Sequence, residues 1–335
     1  MKAICVTPSR ALTVRDIPTP TAPAPGHILV DMDASAINHG DKTFLKMPAA
    51  AGNPLAASRH DIWGASGAGR VVALGAGVPA EYAGKQVAIY RSLARSAENI
   101  GLWCERAQVP YTSCVRLPDG LAARDYCGSL VNVITAYAFL EDIADAHPAG
   151  RKPGVIVTAG NSATGHAMAA LARSRNLPAI FLVRSEAART ALRRSGAEHV
   201  IVTDAGFTDT LAGLSAELGA TEVFDGVGGE LLERMMPGLP MHSTIHIYGF
   251  LGGAAPISIQ SRLLMMKNLT IRRFSNFESG TVKDPHRLAA ALKAIEGVIA
   301  DPLFATRTGK VFGYEQIEAA MAYESREGAK AVLVA

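Results

Sequence analysis

The stretch GVIVTAGNSATGHAMAALARSRNLPAIFLVRS, from Gly154 to Ser185, decides the fold of this 335-residue chain. It opens with a short β-branched run at Val155–Val157, continues through a glycine-containing turn and closes with a second apolar run at Ala179–Val183. Between the two runs, apolar residues recur at helical spacing. A strand, a glycine turn, a helix and a second strand within about thirty residues predict a βαβ unit of the kind that binds a dinucleotide.

The turn of this unit runs from Gly160 to Gly165. Gly160 permits a tight turn, the amides that open the helix point at a pyrophosphate, and Gly165 lets the helix approach the strand closely. Ser162 replaces the middle glycine of the usual fingerprint. Because serine is small and polar, it still admits the phosphate and can donate a hydrogen bond to it. The sequence therefore predicts that this turn holds the phosphates of a dinucleotide.

Composition describes an ordinary soluble globular protein, with 49% hydrophobic and 19% charged residues. The net charge is +3 and the Lys and Arg residues are scattered, which does not suggest a nucleic-acid partner. No uninterrupted apolar run reaches the roughly 18 residues of a membrane span, and the N-terminus lacks the apolar core of a signal peptide. The four cysteines are widely spaced, so we expect free thiols in a reducing compartment, the cytoplasm.

The pattern of predicted secondary structure changes near residue 120. Before it, short strands and turns are predicted; after about residue 125, strands and helices alternate as in a parallel sheet. A second glycine cluster, Gly64 to Gly75, is followed by a β-branched run instead of a helix, which predicts a bulge or a strand turn. The predicted strands are Lys2–Val6, Ala11–Val14, His27–Ala34, Gln86–Tyr90, one from Cys114, His199–Val202, Thr221–Phe224, Thr244–Tyr248, Asn268–Phe274 and Ala331–Val334, and the predicted helices are Ser185–Ser195, Thr208–Leu218 and Pro285–Ile299.

The order of these pieces resembles the medium-chain dehydrogenase/reductase superfamily over essentially the whole chain. The resemblance implies an α/β protein with a GroES-like β-barrel-type domain at residues 1–122, completed by about 266–335. It also implies a Rossmann domain with a doubly wound parallel sheet at 123–265. The loop Ala159–Gly165 looks most like the zinc-independent branch of NADPH:quinone oxidoreductases and 2-enoyl thioester reductases. The matching phrases are AINHGD (36–41), GAG (67–69), LPDG (117–120), NVITAY (132–137) and DGVGG (225–229).

Two positions bear on zinc. Zinc-dependent members of the superfamily carry a Cys where this chain has Asn38, and Gly-His-Glu where it has Gly64-Ala65-Ser66. Neither Asn38 nor Ala65 can replace a thiolate or an imidazole ligand. Only Cys104 lies where those members have a four-cysteine structural lobe, and a tetrahedral site needs four ligands. We therefore expect neither a catalytic nor a structural zinc.

The end of the second strand of the βαβ unit indicates which cofactor binds. An acidic residue there binds the ribose 2′-hydroxyl of NAD, whereas an Arg accommodates the 2′-phosphate of NADP. Arg184 lies at this strand end and favours NADPH. Glu186 is the alternative acidic partner, although at the start of the next helix its charge suits the helix dipole.

The family resemblance also implies how NADPH is held. Instead of contacting the cofactor, Tyr248 and Phe274 could be core residues, and Lys330 could be a solvated surface charge. The resemblance implies that Asn132 approaches the nicotinamide and that the carboxamide is contacted by Phe274, Ser275 and Asn276. The phosphates are contacted by the turn residues Gly160, Asn161, Ser162, Ala163 and Thr164 at the pyrophosphate, by Arg184 and Ser185 at the 2′-phosphate, and by Lys330. The ribose side is lined by Tyr248, Gly249, Phe250 and Leu251.

The predicted reaction is hydride transfer from NADPH to a quinone or to the β-carbon of an α,β-unsaturated carbonyl, without a metal. In enoyl thioester reductases, a tyrosine some ten residues past the Asn38 position helps to supply a proton. The segment Thr43–Gly52 contains no tyrosine. The catalytic group is therefore unknown. The candidates are Tyr90, His39, Asp41 and Lys42. Tyr90 could instead be packed in the barrel, and His39 and Asp41 could instead make turn and capping hydrogen bonds.

Two alternative functions stay open. Because the tyrosine is missing, the chain could bind NADPH as a sensor or structural protein without turnover. Because of the family resemblance, it could also be a 2-enoyl thioester reductase. The resemblance further implies a homodimer that pairs the sheet edges of the nucleotide domains. The acceptor pocket is expected from the segments around 42–60, 90–104 and 250–280, whose side chains do not identify a substrate.

Overall fold

The computed structural model describes residues 1–46, 58–90, 96, 98–147, 153–253, 255–324 and 327–335. The strands in these ranges are β1 (Lys2–Val6), β2 (Leu12–Asp16), β3 (His27–Ala36), β4 (Ser66–Leu74), β5 (Gln86–Tyr90), β6 (Arg106–Pro110), β7 (Cys114–Arg116), β8 (Gly154–Val157), β9 (Ala179–Val183), β10 (His199–Val202), β11 (Ala220–Asp225), β12 (Thr244–Ile247), β13 (Thr270–Arg273), β14 (Thr308–Gly313) and β15 (Lys330–Val334). The helices are α1 (His39–Lys46), α2 (Ser129–Ala146), α3 (Ala163–Ser174), α4 (Glu186–Arg194), α5 (Phe207–Leu218), α6 (Gly229–Met235), α7 (Ser261–Met266), α8 (Gly280–Lys283), α9 (Pro285–Glu296) and α10 (Ile317–Ala322).

The chain divides into two compact units, and the α/β class predicted from the sequence is confirmed. The first unit contains residues Met1–Ile134 and Asp284–Ala335, and the second contains Thr135–Lys283. Strand β13 thus belongs to the second unit, although the sequence predicts that residues from about 266 onward complete the first domain. The reason is its pairing, because β13 runs parallel to β12, with Thr270 opposite Thr244.

The first unit is built on a mixed sheet with strand order β14-β15-β3-β4-β5-β7, to which β6 adds by pairing with β3. The predicted hairpin β1–β2 forms beside it. The glycine cluster at 64–75 forms strand β4, and the β3–β4 ladder shifts register twice, as predicted for a bulged strand. Gly69 lies so close to the backbone of Asp31 that a side chain there would collide with the Asp31 carbonyl. The glycines of this cluster therefore serve strand packing.

The second unit contains a parallel sheet with strand order β10-β9-β8-β11-β12-β13. This is the doubly wound order, and the Rossmann-type prediction is confirmed. The order reverses between β8 and β11, and ligands of such sheets bind outside the carboxyl ends of the strands at that point. Residues Gly154–Val157 and Ala179–Val183 are buried throughout, because helices cover both faces of a parallel sheet. The stretch Gly154–Ser185 thus supplies two neighbouring inner strands of the sheet, β8 and β9.

One stretch passes a length and composition test for a membrane span among the described residues. It is Ala123–Ala146, which includes α2, and 61% of the tested window is buried inside the protein. A mostly buried core helix passes the same test, so the stretch is weak evidence for a span. The expected absence of a membrane partner stays a prediction.

Helix α9 is tied to the sheet of the first unit by one charged contact. Arg116 donates to Glu296 from Nη2 to Oε1 at 2.6 Å and from Nε to Oε2 at 3.2 Å, and Lys293 Nζ donates at 2.8 Å. Burial opposes ionisation of Glu296, but the hydrogen bonds from Arg116 and Lys293 outweigh it and lower the pKa of this carboxyl from 4.5 to about 2. Because the folded state has the lower pKa, the contact stabilises it above about pH 4.5 and the stabilisation is lost as the pH falls toward 2.

Replacing Glu296 with glutamine is therefore expected to cost about 2 kcal/mol of unfolding free energy at neutral pH. Chemical denaturation of both proteins as a function of pH measures the difference, which should narrow below about pH 4.5. Glu318→Gln is the matched control, since Glu318 is exposed on α10. A cost for Glu296→Gln that does not change with pH would contradict this account of the contact.

Candidate functional site

The glycine turn between β8 and α3 leaves a cradle that side chains would fill. A Cβ on Gly165 would collide with the carbonyl oxygen of Gly160, and a Cβ on Gly160 would lie 2.9 Å from the Cβ of Phe181. Ser162 is the N-cap of α3, where its Oγ accepts from the Gly165 amide at 3.1 Å. That bond uses an oxygen lone pair, so the hydroxyl proton can still donate to a ligand. The turn thus fits the phosphates of a dinucleotide, with the positive end of α3 facing them.

A buried carboxylate fixes the neighbouring loop. Asp225, at the end of β11, accepts from the hydroxyl of Thr158 at 2.6 Å and from the amides of Val227 and Gly228 at 3.0 Å each. The Thr158 hydroxyl in turn accepts from the Gly226 amide at 2.8 Å. Because Thr158 directly follows β8, this network joins the ends of the two strands between which the sheet order reverses. The motif at 225–229 indicates the family but does not by itself predict this role of Asp225.

The end of β9 presents an exposed cation. Arg184 is exposed, and Ser185 caps α4 by accepting from the Ala188 amide at 3.2 Å. Glu186 lies in the first turn of α4, where its Oε2 is 2.6 Å from Nη2 of Arg189. Its carboxylate therefore pairs within the helix that it opens, as the alternative to a ribose contact predicts.

The two predicted aromatic cofactor contacts pack together in the second unit. Tyr248 stacks on Phe224 with ring centroids 3.9 Å apart, and Phe274 meets Phe224 edge to face at 5.7 Å. Phe274 is buried, whereas Tyr248 and Ser275 are half-buried. Phe250 and Leu251 are exposed, half-buried Gly249 lies beside the Gly226 backbone, and Asn276 is buried. Both aromatic rings thus have the packing contacts of core residues, and their contact with a cofactor stays a prediction.

In the first unit, a buried polar cluster surrounds Asn38. Its side-chain oxygen accepts from Lys330 Nζ at 2.6 Å, and its Nδ2 donates to Ser66 Oγ at 2.8 Å and to Asp41 Oδ2 at 3.1 Å. All four residues are buried. Lys330 is therefore not a solvated surface charge, and that alternative is wrong, because strand β15 places Lys330 beside the end of β3. Its predicted contact with the cofactor phosphate stays a prediction.

The charges of this cluster are strongly perturbed. Burial raises the pKa of Asp41 from 3.8 to about 6, although hydrogen bonds from Asn38 and the charge of Lys330 oppose the rise. Burial lowers the pKa of Lys330 from 10.5 to about 8, against the charges of Asp41 and Cys127. Cationic and neutral forms of Lys330 are thus both accessible near neutral pH, which is typical of functional lysines.

The structure separates the other catalytic candidates. Asp41 belongs to the buried cluster. Lys42 donates to the carbonyl oxygen of Tyr323 at 2.6 Å, and burial, followed by the charge of Lys46, lowers its pKa. His39 lies at the surface, where partial desolvation of its ring, followed by the positive charges of nearby lysines, lowers its pKa. Tyr90 is fully buried, which raises its pKa. Parts of the expected acceptor pocket, residues 47–57, 91–95, 97 and 254, lie outside the described residues.

Asn132 and the cysteines complete the predicted residues. Asn132 lies on α2, where its Nδ2 donates to the Gly128 carbonyl at 2.8 Å, and its approach to the nicotinamide stays a prediction. The predicted free thiols are confirmed, and all four are buried. Over the described ranges, no group of three or more His, Cys, Asp or Glu side chains is placed to hold a metal ion.

Comparison with known proteins agrees with the two units. The alcohol dehydrogenase GroES-like domain matches residues 24–119, and the zinc-binding dehydrogenase domain matches residues 163–296, together about two thirds of the chain. A GroES-like domain together with a dehydrogenase domain built on a doubly wound sheet is the combination that defines the dehydrogenase/reductase class. The chain belongs to the medium-chain dehydrogenase/reductase superfamily, as predicted, and its relatives fall in the quinone and enoyl reductase branch.

Three relatives match parts of the chain. The human synaptic vesicle membrane protein VAT-1 homolog is 30% identical over 63% of this chain and 50% of its own length. Mouse prostaglandin reductase-3 is 27% identical over 71% of this chain and 59% of its own length, and the bovine mitochondrial enoyl-[acyl-carrier-protein] reductase is 26% identical over 74% and 64%. The chain spans about half the length of the first of these relatives.

Solved structures share the whole fold. The quinone oxidoreductase of Escherichia coli in complex with NADPH has a TM-score of 0.69 at 19% identity, over 100% of this chain and 99% of that one. An alcohol dehydrogenase superfamily protein from Novosphingobium aromaticivorans has a TM-score of 0.77 at 21% identity, over 100% and 99%. At these identities the likeness establishes the fold.

Proposed function

We propose that the protein is an NADPH-dependent reductase that transfers a hydride to a quinone or to an α,β-unsaturated carbonyl, without a metal. The observation that carries the proposal is the cradle of Gly160–Gly165 at the point where the sheet order reverses, with the exposed Arg184 at the end of the adjacent strand β9. NADPH supplies the hydride when it is bound. The names of the relatives support the chemistry, since they include a quinone oxidoreductase in complex with NADPH, a prostaglandin reductase and enoyl reductases.

In this proposal the residues of the second unit bind and orient the cofactor. The Gly160–Gly165 turn and the start of α3 hold the pyrophosphate through backbone amides and the Ser162 hydroxyl. Arg184 and Ser185 hold the 2′-phosphate. The aromatic pair Tyr248 and Phe274 provides a rigid wall, because each ring packs against Phe224.

Replacing Arg184 with alanine is expected to weaken NADPH binding roughly tenfold to a hundredfold and NADH binding by less than about threefold. The reason is that only NADPH carries the phosphate that this guanidinium pairs with. Titration of cofactor fluorescence measures both dissociation constants. Arg194→Ala is the control, since it removes an exposed charge from the other end of α4. Equal losses for NADPH and NADH would refute the assignment.

The function is tested by the consumption of NADPH with three classes of acceptor: a para-quinone, an α,β-unsaturated ketone and a short enoyl thioester. Turnover of the quinone or the ketone supports the proposal. Turnover of the thioester alone would support an enoyl thioester reductase in its place. NADPH binding without turnover of any acceptor would support a sensor or structural protein, which the absence of a tyrosine from residues 43–52 favours as second candidate.

The proposal extends to assembly and location. We propose a homodimer in the cytoplasm that pairs the β13 edges of two copies. Strand β13 is the last strand of the parallel sheet, three of its four residues are exposed, and the preceding helix α7 exposes Met265 and Met266 at 79% and 69%. An open edge beside exposed apolar side chains favours pairing with another strand. Sedimentation of the wild-type protein measures the mass.

A further inference from the structure

The hydroxyl of Tyr248, in the second unit, has a position that packing does not explain. Its oxygen is buried and has no hydrogen-bond partner among the residues that the structure describes. A phenylalanine would keep the stack on Phe224 without burying a polar atom, and a buried hydroxyl that makes no hydrogen bond costs free energy. The hydroxyl is therefore expected to have a role besides packing.

The backbone and the ring of Tyr248 are both fixed. Its amide donates to the Asp225 carbonyl at 2.8 Å, which continues the pairing of β12 with β11. Its ring stacks on Phe224, which in turn stacks on Phe139 with ring centroids 4.1 Å apart. Because the ring is held in this way, a partner of the hydroxyl has to lie next to the place where the ring puts it.

That place is where two loops meet at the carboxyl ends of β8 and β11. A Cβ on Gly226 would lie 2.5 Å from the Tyr248 hydroxyl oxygen, so this oxygen lies against the loop after β11. Burial raises the pKa of Tyr248, as does the charge of Asp225, and the nearby hydroxyls of Ser162 and Thr164 oppose the rise. The phenol oxygen is therefore adjacent to the glycine turn between β8 and α3.

Ser162 has an acceptor position that suits this hydroxyl. A serine hydroxyl has two lone pairs and one proton. One lone pair of Ser162 accepts from the Gly165 amide at 3.1 Å, which leaves the second lone pair for another donor. Once a second donor occupies that lone pair, the serine O–H bond no longer rotates freely, and a hydrogen bond accepted by a hydroxyl also strengthens the one that it donates.

We propose that Tyr248 is a positioning residue for the cofactor: its hydroxyl donates to Ser162 Oγ when the turn holds a pyrophosphate, and thereby directs the Ser162 proton onto a phosphate oxygen. The inference rests on the function proposed above. Hydrogen bonds of ligand-free sites are often long and tighten in the complex. The same contact accounts for the serine at the middle position of the glycine fingerprint, because a glycine there would give the phenol no side-chain acceptor.

The test is a double-mutant cycle of Tyr248→Phe and Ser162→Gly. Tyr248→Phe keeps the ring stack and removes only the hydroxyl. Ser162→Gly restores the glycine of the usual fingerprint, and glycine is tolerated at a helix N-cap. Tyr137→Phe is the control, because the Tyr137 ring lies under Arg175, the C-cap of α3, at the end of this helix away from the turn. The readouts are the dissociation constants of NADPH, NADH and ADP-ribose, and thermal unfolding of the free proteins.

We expect Tyr248→Phe to weaken the binding of all three nucleotides roughly tenfold, because all three carry the pyrophosphate. Ser162→Gly should weaken binding at least as much, and adding Tyr248→Phe to Ser162→Gly should change it less than about twofold. Tyr137→Phe should bind as wild type does. The unfolding temperature of free Tyr248→Phe should be unchanged or raised, since the hydroxyl has no hydrogen-bond partner among the described residues of the free protein.

Equal losses from Tyr248→Phe in the presence and in the absence of Ser162 would overturn the inference, because the hydroxyl would then act without the serine. Wild-type affinity in Tyr248→Phe or in Ser162→Gly would overturn it too, as would a loss for NADPH that ADP-ribose does not share. Failure of the proposed function gives a different result. A wild-type protein that binds the nucleotides but reduces no acceptor would refute the reductase and leave the cycle decisive, whereas one that binds none of them would refute both.

Discussion

Replacing Gly165 with alanine is expected to weaken NADPH binding roughly a hundredfold or more. An alanine inside a helix normally stabilises it by up to about 1 kcal/mol relative to glycine. At this position the added Cβ would collide with the carbonyl oxygen of Gly160, which is backbone and cannot move aside without opening the turn. The steric cost therefore exceeds the helix-propensity gain. Because the amides of this turn are the proposed phosphate contacts, the loss should appear in cofactor binding.

Titration of NADPH fluorescence measures the effect, and circular dichroism establishes that the variant is folded. Gly206→Ala is the matched control in the same unit, because Gly206 precedes α5 and a Cβ there meets nothing within 4 Å. An unchanged dissociation constant for a folded Gly165→Ala variant would show that the turn does not hold the cofactor.

Replacing Asp225 with alanine is expected to destabilise the protein by about 3 kcal/mol or more. The substitution removes the acceptor for the Thr158 hydroxyl and for the amides of Val227 and Gly228, and leaves two buried donors and one half-buried donor without this partner. Each such orphaned group costs about 1–3 kcal/mol. The same change should weaken NADPH binding, because the network joins the ends of β8 and β11.

Urea denaturation measures this loss of stability. Asp204→Ala is the control: Asp204 is exposed and its carboxylate accepts a single backbone amide, that of Gly206 at 3.0 Å. It should cost no more than about 1 kcal/mol. Similar losses for the two variants would mean that Asp225 acts as an ordinary loop carboxylate.

The sequence predicted those elements whose signal is local. The βαβ unit at 154–185 combined two β-branched runs with glycines at fixed spacing, and the sheet shows it in the predicted place. Helix α9 begins at Pro285 as predicted, since Asp284 caps it by accepting from the amides of His286 and Arg287. The helix ends at Glu296, earlier than the predicted Ile299, because the residues that follow form a turn.

The sequence could not predict features that depend on distant parts of the chain. Lys330 and Asn38 are 292 positions apart, so no local pattern showed that a C-terminal lysine is buried against the end of β3. Strand β6 was missed, since RAQVP lacks a clear alternation and forms only by pairing with β3. Helix α2 was not delimited, because it is apolar almost all round and lacks a single amphipathic face.

In the proposed function, the Gly160–Gly165 turn holds NADPH for transfer of its hydride to a quinone or an α,β-unsaturated carbonyl. The most direct test is a single turnover under anaerobic conditions, with the protein in excess over NADPH and a mixture of quinone and enone added. The account predicts that the near-ultraviolet absorbance of bound NADPH disappears much faster than in a protein-free control, and faster than that of NADH. NADPH that stays unbound, or that binds and keeps its absorbance, would contradict it.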